Sequence, residues 1–72
     1  MEGTDYLSEE DVSLLREAVR EGSTLAEVTM ALLHEKGLSV KRNVGEAVRL
    51  YRSAAQRGSA NAYRALVRLY RQ

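Results

Sequence analysis

Few residues of this 72-residue sequence have side chains suited to catalysis or metal binding. The chain has one histidine, His34, and no cysteine, so no Ser/His/Asp or Cys/His set can be assembled from it. Glu9, Glu10 and Asp11 form the densest group of carboxylates, but acids in such a run are typical of the first turn of a helix. The glycine and alternating oxygen ligands of an EF-hand loop are missing. We therefore expect a protein that is not an enzyme, with no catalytic residue, cofactor or metal.

Arginine is the other residue type whose spacing suggests a function. Arg64, Arg68 and Arg71 recur at i, i+4 and i+7, so they would share one face of a helix. Nearby tyrosines could stack on bases, and further arginines could contact phosphates; these residues are Tyr63, Tyr70, Arg49, Arg52 and Arg57. A solvated arginine face explains the same spacing, and no helix-turn-helix or RNA-binding signature is present. Nucleic-acid binding is therefore kept as the alternative function.

The composition predicts one small helical domain spanning residues 1–72. Hydrophobic residues make up 44% of the chain and proline is absent, which favours helices over a disordered tail. A core this small should give a stability of only a few kcal/mol. The apolar runs are too short to span a membrane, and the acidic N-terminus does not resemble a secretory signal. We expect a cytoplasmic protein with no membrane partner.

The net charge of +1 conceals two halves of opposite sign. Residues 1–35 contain nine acids and two bases, a net charge of −7. Residues 36–72 contain nine bases and one acid, a net charge of +8. The halves could be two solvated faces, or they could create a field that orients a partner or a second copy. The acidic half would be repelled by the phosphates of a nucleic acid.

The sequence repeats itself with a period of 36 residues. Residues 12–33 align with residues 48–69 at eight identical positions, which are the pairs Val12/Val48, Leu14/Leu50, Arg16/Arg52, Ala18/Ala54, Gly22/Gly58, Ser23/Ser59, Ala26/Ala62 and Leu33/Leu69. A fixed period of this length is the signature of a solenoid, and two helices with two turns fill 36 residues.

Capping signals divide each repeat into two helices. Ser8 precedes three acids and can cap the first helix, which should stop at Gly22 in a left-handed conformation. Thr24-x-x-Glu27 reads as a capping box for the second helix. Asn43 and Ser59 are expected to cap the third and fourth helices. The predicted helices are about 9–21, 24–36, 44–57 and 59–71.

Small and aromatic residues follow a recognisable pattern across the repeat junction. The arrangement Y-x-x-A-A-x-x-G-x-x-x-A is complete from Tyr51 to Ala62. The other positions of the pattern are occupied by Ala26, Met30, Ala31, His34, Gly37, Ser39, Val40, Asn43 and Ala47. This arrangement resembles the Sel1-like repeat, an α/α relative of the tetratricopeptide repeat. Weaker echoes on both sides extend the resemblance over nearly the whole chain.

The resemblance implies both a fold and a class of function. The fold would be an all-α, right-handed α/α solenoid fragment of about two Sel1-like units, with four antiparallel helices. His34 stands where the family usually has tyrosine, which implies a packing role. Ala31 and Ser39 stand where the family has glycine, and Asn43 replaces an aspartate while keeping the N-cap chemistry. The family's adaptor and regulatory proteins imply protein–protein interaction.

The helix faces point to where a partner would bind. In the first helix Val12, Leu15 and Val19 form one apolar stripe, whereas apolar residues from Leu25 to Leu33 surround most of the second helix, which should be covered from several sides. The fourth helix carries more apolar surface than one neighbouring layer can cover. We expect it to bind a protein partner or to form a homodimer through Tyr63, Val67, Tyr70, Arg64, Arg68 and Arg71.

The sequence thus predicts a small non-catalytic protein–protein interaction module that acts as an adaptor, regulator or inhibitor. Two other placements stay open. Tyr63 and Tyr70 could be ordinary half-buried tyrosines that fold back on their own helix. The binding surface could instead be the concave side of the second helix, near Glu27 and His34.

Overall fold

Four α-helices make up the part of the chain that the computed structural model describes, residues 7–71. They are α1 (Glu9–Arg20), α2 (Thr24–Lys36), α3 (Val44–Gln56) and α4 (Ala60–Tyr70). Each helix end lies within one residue of the predicted range. α2 packs against α1 and α3, and α3 packs against α2 and α4. The all-helical fold with four packed helices is therefore confirmed.

Three of the predicted helix caps are present. The Ser8 Oγ accepts a hydrogen bond from the Asp11 amide at 3.1 Å, and the Ser59 Oγ accepts one from the Ala62 amide at 3.1 Å. The Asn43 Oδ1 accepts one from the Glu46 amide at 3.0 Å. Each bond satisfies a backbone amide that has no acceptor within the first turn of its own helix.

The capping box predicted at Thr24 is wrong. The N-cap of α2 is Ser23, whose Oγ accepts from the Ala26 amide at 3.1 Å, and Thr24 is the first residue of the helix. The shift of one residue frees the side chain of Glu27 from any capping role. Glu27 turns instead toward α3, where it is buried.

The two corners α1–α2 and α3–α4 have matching backbone hydrogen bonds. The Ser23 amide donates to the Ala18 carbonyl at 3.0 Å, and the Ser59 amide donates to the Ala54 carbonyl at 3.0 Å. At both corners the residue before the serine is a glycine with positive φ, +93° at Gly22 and +101° at Gly58. The 36-residue period is thus present in the geometry of the turns, and glycine is required there because L side chains avoid this conformation.

We expect Gly58→Val to lower the free energy of unfolding by about 1–2 kcal/mol, because valine is strained at positive φ. No atom lies within 4 Å of a Cβ built at Gly58, so the cost would come from the backbone and not from a clash with a neighbour. Gly45→Ala is the matched control, since its Cβ would make an ordinary 3.5 Å contact with Asn43 Oδ1. That change should be neutral or stabilising in urea denaturation. Equal effects of the two substitutions would show that the φ of Gly58 is not the cause.

The core lies where α2 and α3 meet. Tyr51 and Leu33 are its largest fully buried side chains. Four alanines without exposed surface allow the helices to approach closely; they are Ala31, Ala47, Ala54 and Ala62. Of the apolar stripe predicted on the first helix, Val12 is buried, and Leu15 and Val19 are half-buried against the core. No helix within residues 7–71 combines the length and apolar character that a membrane crossing needs.

The prediction that α2 is covered from several sides is only partly right. Met30 and Leu33 are buried, but Leu25 and Leu32 are exposed. Within residues 7–71, α1 and α3 make the main packing contacts with α2, and Arg68 of α4 reaches Glu35 near its end. The side that carries these two leucines stays exposed. Apolar residues around most of a helix therefore do not show that every side of the helix is covered.

Candidate functional site

Two glutamates of α2 are buried between helices, which sequence reasoning missed. Glu27 and Glu35 lie eight residues apart on one face of the helix, with Ala31 between them. Each carboxylate is paired with an arginine from the basic half of the chain, 30 positions away for Glu27 and 33 for Glu35. The two halves of opposite charge therefore neutralise part of each other within the fold.

Glu27 connects α2 to α3 and to the first corner. The Ser53 hydroxyl donates to Glu27 Oε2 at 2.7 Å, and the Arg57 guanidinium donates to Glu27 Oε1 at 3.0 Å. Arg57 also donates to the carbonyl oxygen of Gly22. One arginine at the end of α3 thereby holds both the α2 carboxylate and the α1–α2 turn.

Glu35 connects α2 to α3 and α4. The Tyr51 hydroxyl donates to Glu35 Oε1 at 2.9 Å, and Arg68 donates to both carboxylate oxygens at 2.5 and 3.1 Å. These charge-assisted bonds are stronger than neutral ones. The hydrogen bond from Arg68 lowers the pKa of Glu35 against the opposing effect of burial. Burial, with the hydrogen bond to Glu35, raises the pKa of Tyr51 to about 12.

The network divides the arginines predicted to act together. Arg68 is bound to Glu35, and Arg64 donates to the Asn61 side chain at 3.0 Å. Arg71, at the end of α4, is exposed. All three arginines are exposed, but Arg68 also joins α4 to α2 through its ion pair with Glu35.

Tyr63, Val67 and Tyr70 form an exposed stripe on α4, which we call the α4 face. Their spacing of four and three residues places them on one side of the helix. α4 packs against the rest of the chain through Ala62 and Ala65, with Leu66 and Leu69 half-buried at the edges. The Tyr70 hydroxyl accepts a hydrogen bond from Arg52 at 2.9 Å, while its side chain stays mostly in solvent.

The repeat provides a comparison for the α4 face inside the same molecule. A shift of 36 residues relates Val67 to Ala31 and Tyr63 to Glu27. Ala31 is 0% exposed whereas Val67 is 39% exposed, and Glu27 is 5% exposed whereas Tyr63 is 65% exposed. α3 contacts the face of α2 that contains Ala31 and Glu27. The corresponding face of α4 has no such helix over it in residues 7–71.

A second candidate surface is a groove between α1 and α3 above α2. Its volume is about 170 Å³, below the range of about 300–1,000 Å³ that is usual for small-molecule sites. Its lining is partly apolar and partly charged; the residues are Arg16, Val19, Arg20, Met30, His34, Glu46, Arg49 and Leu50. Arg49 donates two hydrogen bonds to Glu46 at 3.0 and 2.6 Å, and these bonds lower the pKa of Glu46 against the opposing effect of burial.

His34 lies at this groove and is half-buried. Its Nδ1 is 3.2 Å from the carbonyl oxygen of Lys41, so it contacts the loop between α2 and α3. Among residues 7–71 no group of three or more metal-binding side chains comes together. Comparison of the chain with protein-family models, with curated proteins and with solved structures found no match.

Proposed function

We propose that this chain is a small non-catalytic protein–protein interaction module that binds a helix of its partner on the α4 face. The observation that carries the proposal is the contrast between two equivalent helix faces. α3 covers the face of α2 around Ala31, whereas the α4 face around Val67 is open. The α4 face occupies the position in its repeat that the α3-binding face of α2 occupies in the other repeat. Its two tyrosines and one valine provide exposed apolar surface on which another helix could pack.

We further propose that the chain is a right-handed α/α solenoid fragment of about two Sel1-like units, with antiparallel helices. The matching corners at Gly22 and Gly58 support two units of one kind. Ser39 supports the resemblance, since its φ is +65° at a position where the family pattern has glycine. A serine in this conformation is uncommon, and the glycine of the pattern would adopt it without strain.

The charges around the α4 face indicate the chemistry of the partner. α4 contains no acidic residue, and Arg64 and Arg71 lie beside the stripe. Arg52 of α3 reaches its edge through Tyr70. A partner helix with an apolar ridge flanked by carboxylates would match this surface, because opposite charges at the rim speed association and select the partner.

The double substitution Tyr63→Glu and Val67→Glu should abolish partner capture while leaving the helical content unchanged. Both residues are exposed, so the two carboxylates would disrupt the apolar centre of the face without entering the core. The measurement is affinity capture from an extract of the native cells, followed by mass spectrometry and circular dichroism. Leu25→Glu is the matched control, because Leu25 is an exposed apolar residue on a different helix.

A protein that is retained by the wild type and by Leu25→Glu, but lost with the double variant, is the expected result. Retention by all three chains would place the binding surface elsewhere. The groove lined by His34 and Arg49 would then be the next surface to test.

Nucleic-acid binding is the alternative function, and fewer residues support it. Arg49, Arg57 and Arg68 already pair with glutamates of the same chain. The same captures repeated after nuclease treatment separate the two functions. Loss of every captured protein after nuclease treatment, together with steeply salt-dependent binding of an oligonucleotide, would favour nucleic acid.

A further inference from the structure

We infer that the helix bound by the α4 face is α1 of a second copy, so that copies of the chain stack head to tail. The inference rests on the proposed function, because it names the occupant of the α4 face. α1 carries an uncovered face of its own, formed by Glu10, Leu14 and Glu17, which we call the α1 face. Its members are spaced four and three residues apart, as on the α4 face.

The repeat relates the α1 face to residues that are packed in the other unit. Leu14 corresponds to Leu50, and the two are 63% and 3% exposed. Glu17 corresponds to Ser53, whose hydroxyl donates a hydrogen bond to Glu27 of α2. Ser53 of α3 therefore contacts α2, and Leu50 lies in the groove beside Met30 of α2. The corresponding residues of α1, Leu14 and Glu17, are exposed. Residues 7–71 thus present an exposed face on α1 that corresponds to the α2-contacting face of α3, and an exposed face on α4 that corresponds to the α3-contacting face of α2.

The contacts between α2 and α3 also predict the register between copies. Within the chain, Glu27 contacts Ser53 and Arg57. In the repeat, Glu27 corresponds to Tyr63, 36 positions later, whereas Ser53 and Arg57 correspond to Glu17 and Glu21, 36 positions earlier. The same contact between copies would place Tyr63 of one copy against Glu17 and Glu21 of the next. Both glutamates are exposed, and the tyrosine hydroxyl can donate a hydrogen bond to a carboxylate.

Charge favours this pairing over the contact of two α4 faces. The α1 face is acidic, and the arginines of α1, Arg16 and Arg20, line the groove on another side of the helix. The α4 face is flanked by Arg64 and Arg71 and by no acid of its own helix. An α4–α4 contact would bring arginines of two copies together, whereas an α1–α4 contact opposes unlike charges.

The geometry makes the interaction heterologous, since the two faces that meet are different. Such a contact leaves one open face at each end of a dimer, so that further copies can add. Each contact involves one short helix from each side, which predicts weak association that rises with concentration and falls with salt.

Two blocked variants test the arrangement. The head-blocked chain carries Leu14→Lys and Glu17→Lys on the α1 face, and the tail-blocked chain carries Tyr63→Glu and Val67→Glu on the α4 face. All four residues are exposed, and Tyr63→Glu alone replaces the tail-blocked pair if the double variant loses helicity. The chains are studied by sedimentation at several concentrations and two salt concentrations, separately and mixed.

We expect the wild type to form species larger than dimers at high concentration and low salt. Each blocked chain alone should stay monomeric, with self-affinity reduced by about 30-fold or more. The mixture should form a one-to-one dimer, because it contains one intact α4 face and one intact α1 face.

Two results would overturn the inference. A head-blocked chain that still dimerises would show contact between two α4 faces. A wild type that stays monomeric throughout would show that α1 of a second copy is not the occupant. If the wild type is monomeric but Tyr63→Glu with Val67→Glu still abolishes partner capture, the proposed function stands and only the head-to-tail arrangement fails. If capture also persists, both fail.

Discussion

Tyr51→Ala is expected to lower the free energy of unfolding by about 3–5 kcal/mol, which is the usual cost of deleting a buried aromatic ring. Tyr51 is among the largest fully buried side chains and lies where α2 and α3 meet. Its removal also leaves Glu35 with one fewer hydrogen-bond donor. Since a chain of this size has a stability of only a few kcal/mol, most molecules should be unfolded at 37 °C. Urea denaturation followed by circular dichroism measures the effect.

Tyr51→Phe is the matched control, since it keeps the ring and removes only the hydroxyl. It should cost about 1–1.5 kcal/mol, because Glu35 keeps both of its bonds to Arg68. Similar losses for Tyr51→Ala and Tyr51→Phe would mean that the hydrogen bond matters more than ring packing. A cost below about 1 kcal/mol for the alanine variant would contradict the position of Tyr51 in the core.

The helices and their ends could be predicted because their signals are local. Ser8, Asn43 and Ser59 each act within one helical turn, and glycine is needed where φ is positive, whatever the rest of the chain does. Ser23 and Thr24 are both residue types that cap helices, so the sequence alone does not show which of the two is the N-cap of α2. In the structure Ser23 is the N-cap and Thr24 is the first residue of the helix.

The buried glutamates could not be predicted, because their burial depends on distant residues. Glu27 and Glu35 look like solvated acids until α3 brings Arg57 and Tyr51 beside them and α4 brings Arg68. The charge difference between the two halves was the available signal, but it does not say which charges meet. The paired charges need not stabilise the fold relative to apolar residues, but loss of one partner is costly.

The exposed stripe of α4 could be predicted because its residues are apolar at helical spacing beyond the arc that one neighbour covers. Val67 and Tyr70 lie outside that arc, and the structure leaves both in solvent. The sequence places Arg68 with Arg64 and Arg71, because the spacing of the three predicts one helical face. Only the position of Glu35 on α2 shows that Arg68 pairs with another helix while its side chain stays 46% exposed.

The α4 face corresponds in the repeat to the face of α2 that α3 covers, but it is exposed. Because the chain has no cysteine, Val67→Cys and Ala31→Cys each introduce a single thiol at equivalent positions of the repeat. In dilute solution the thiol at position 67 should react with a maleimide about 100-fold faster or more than the thiol at position 31, which becomes accessible only when the helices open. Circular dichroism of both variants checks that they fold.

The decisive measurement is the ratio of these two labelling rates, first in dilute solution and then with the occupant present at saturating concentration. We expect a large ratio in dilute solution, and a slower reaction at position 67 when the captured partner or excess unmodified chain is added. Equal rates at positions 31 and 67 in dilute, folded protein would contradict this expectation, because the two faces would then be equally covered or equally open.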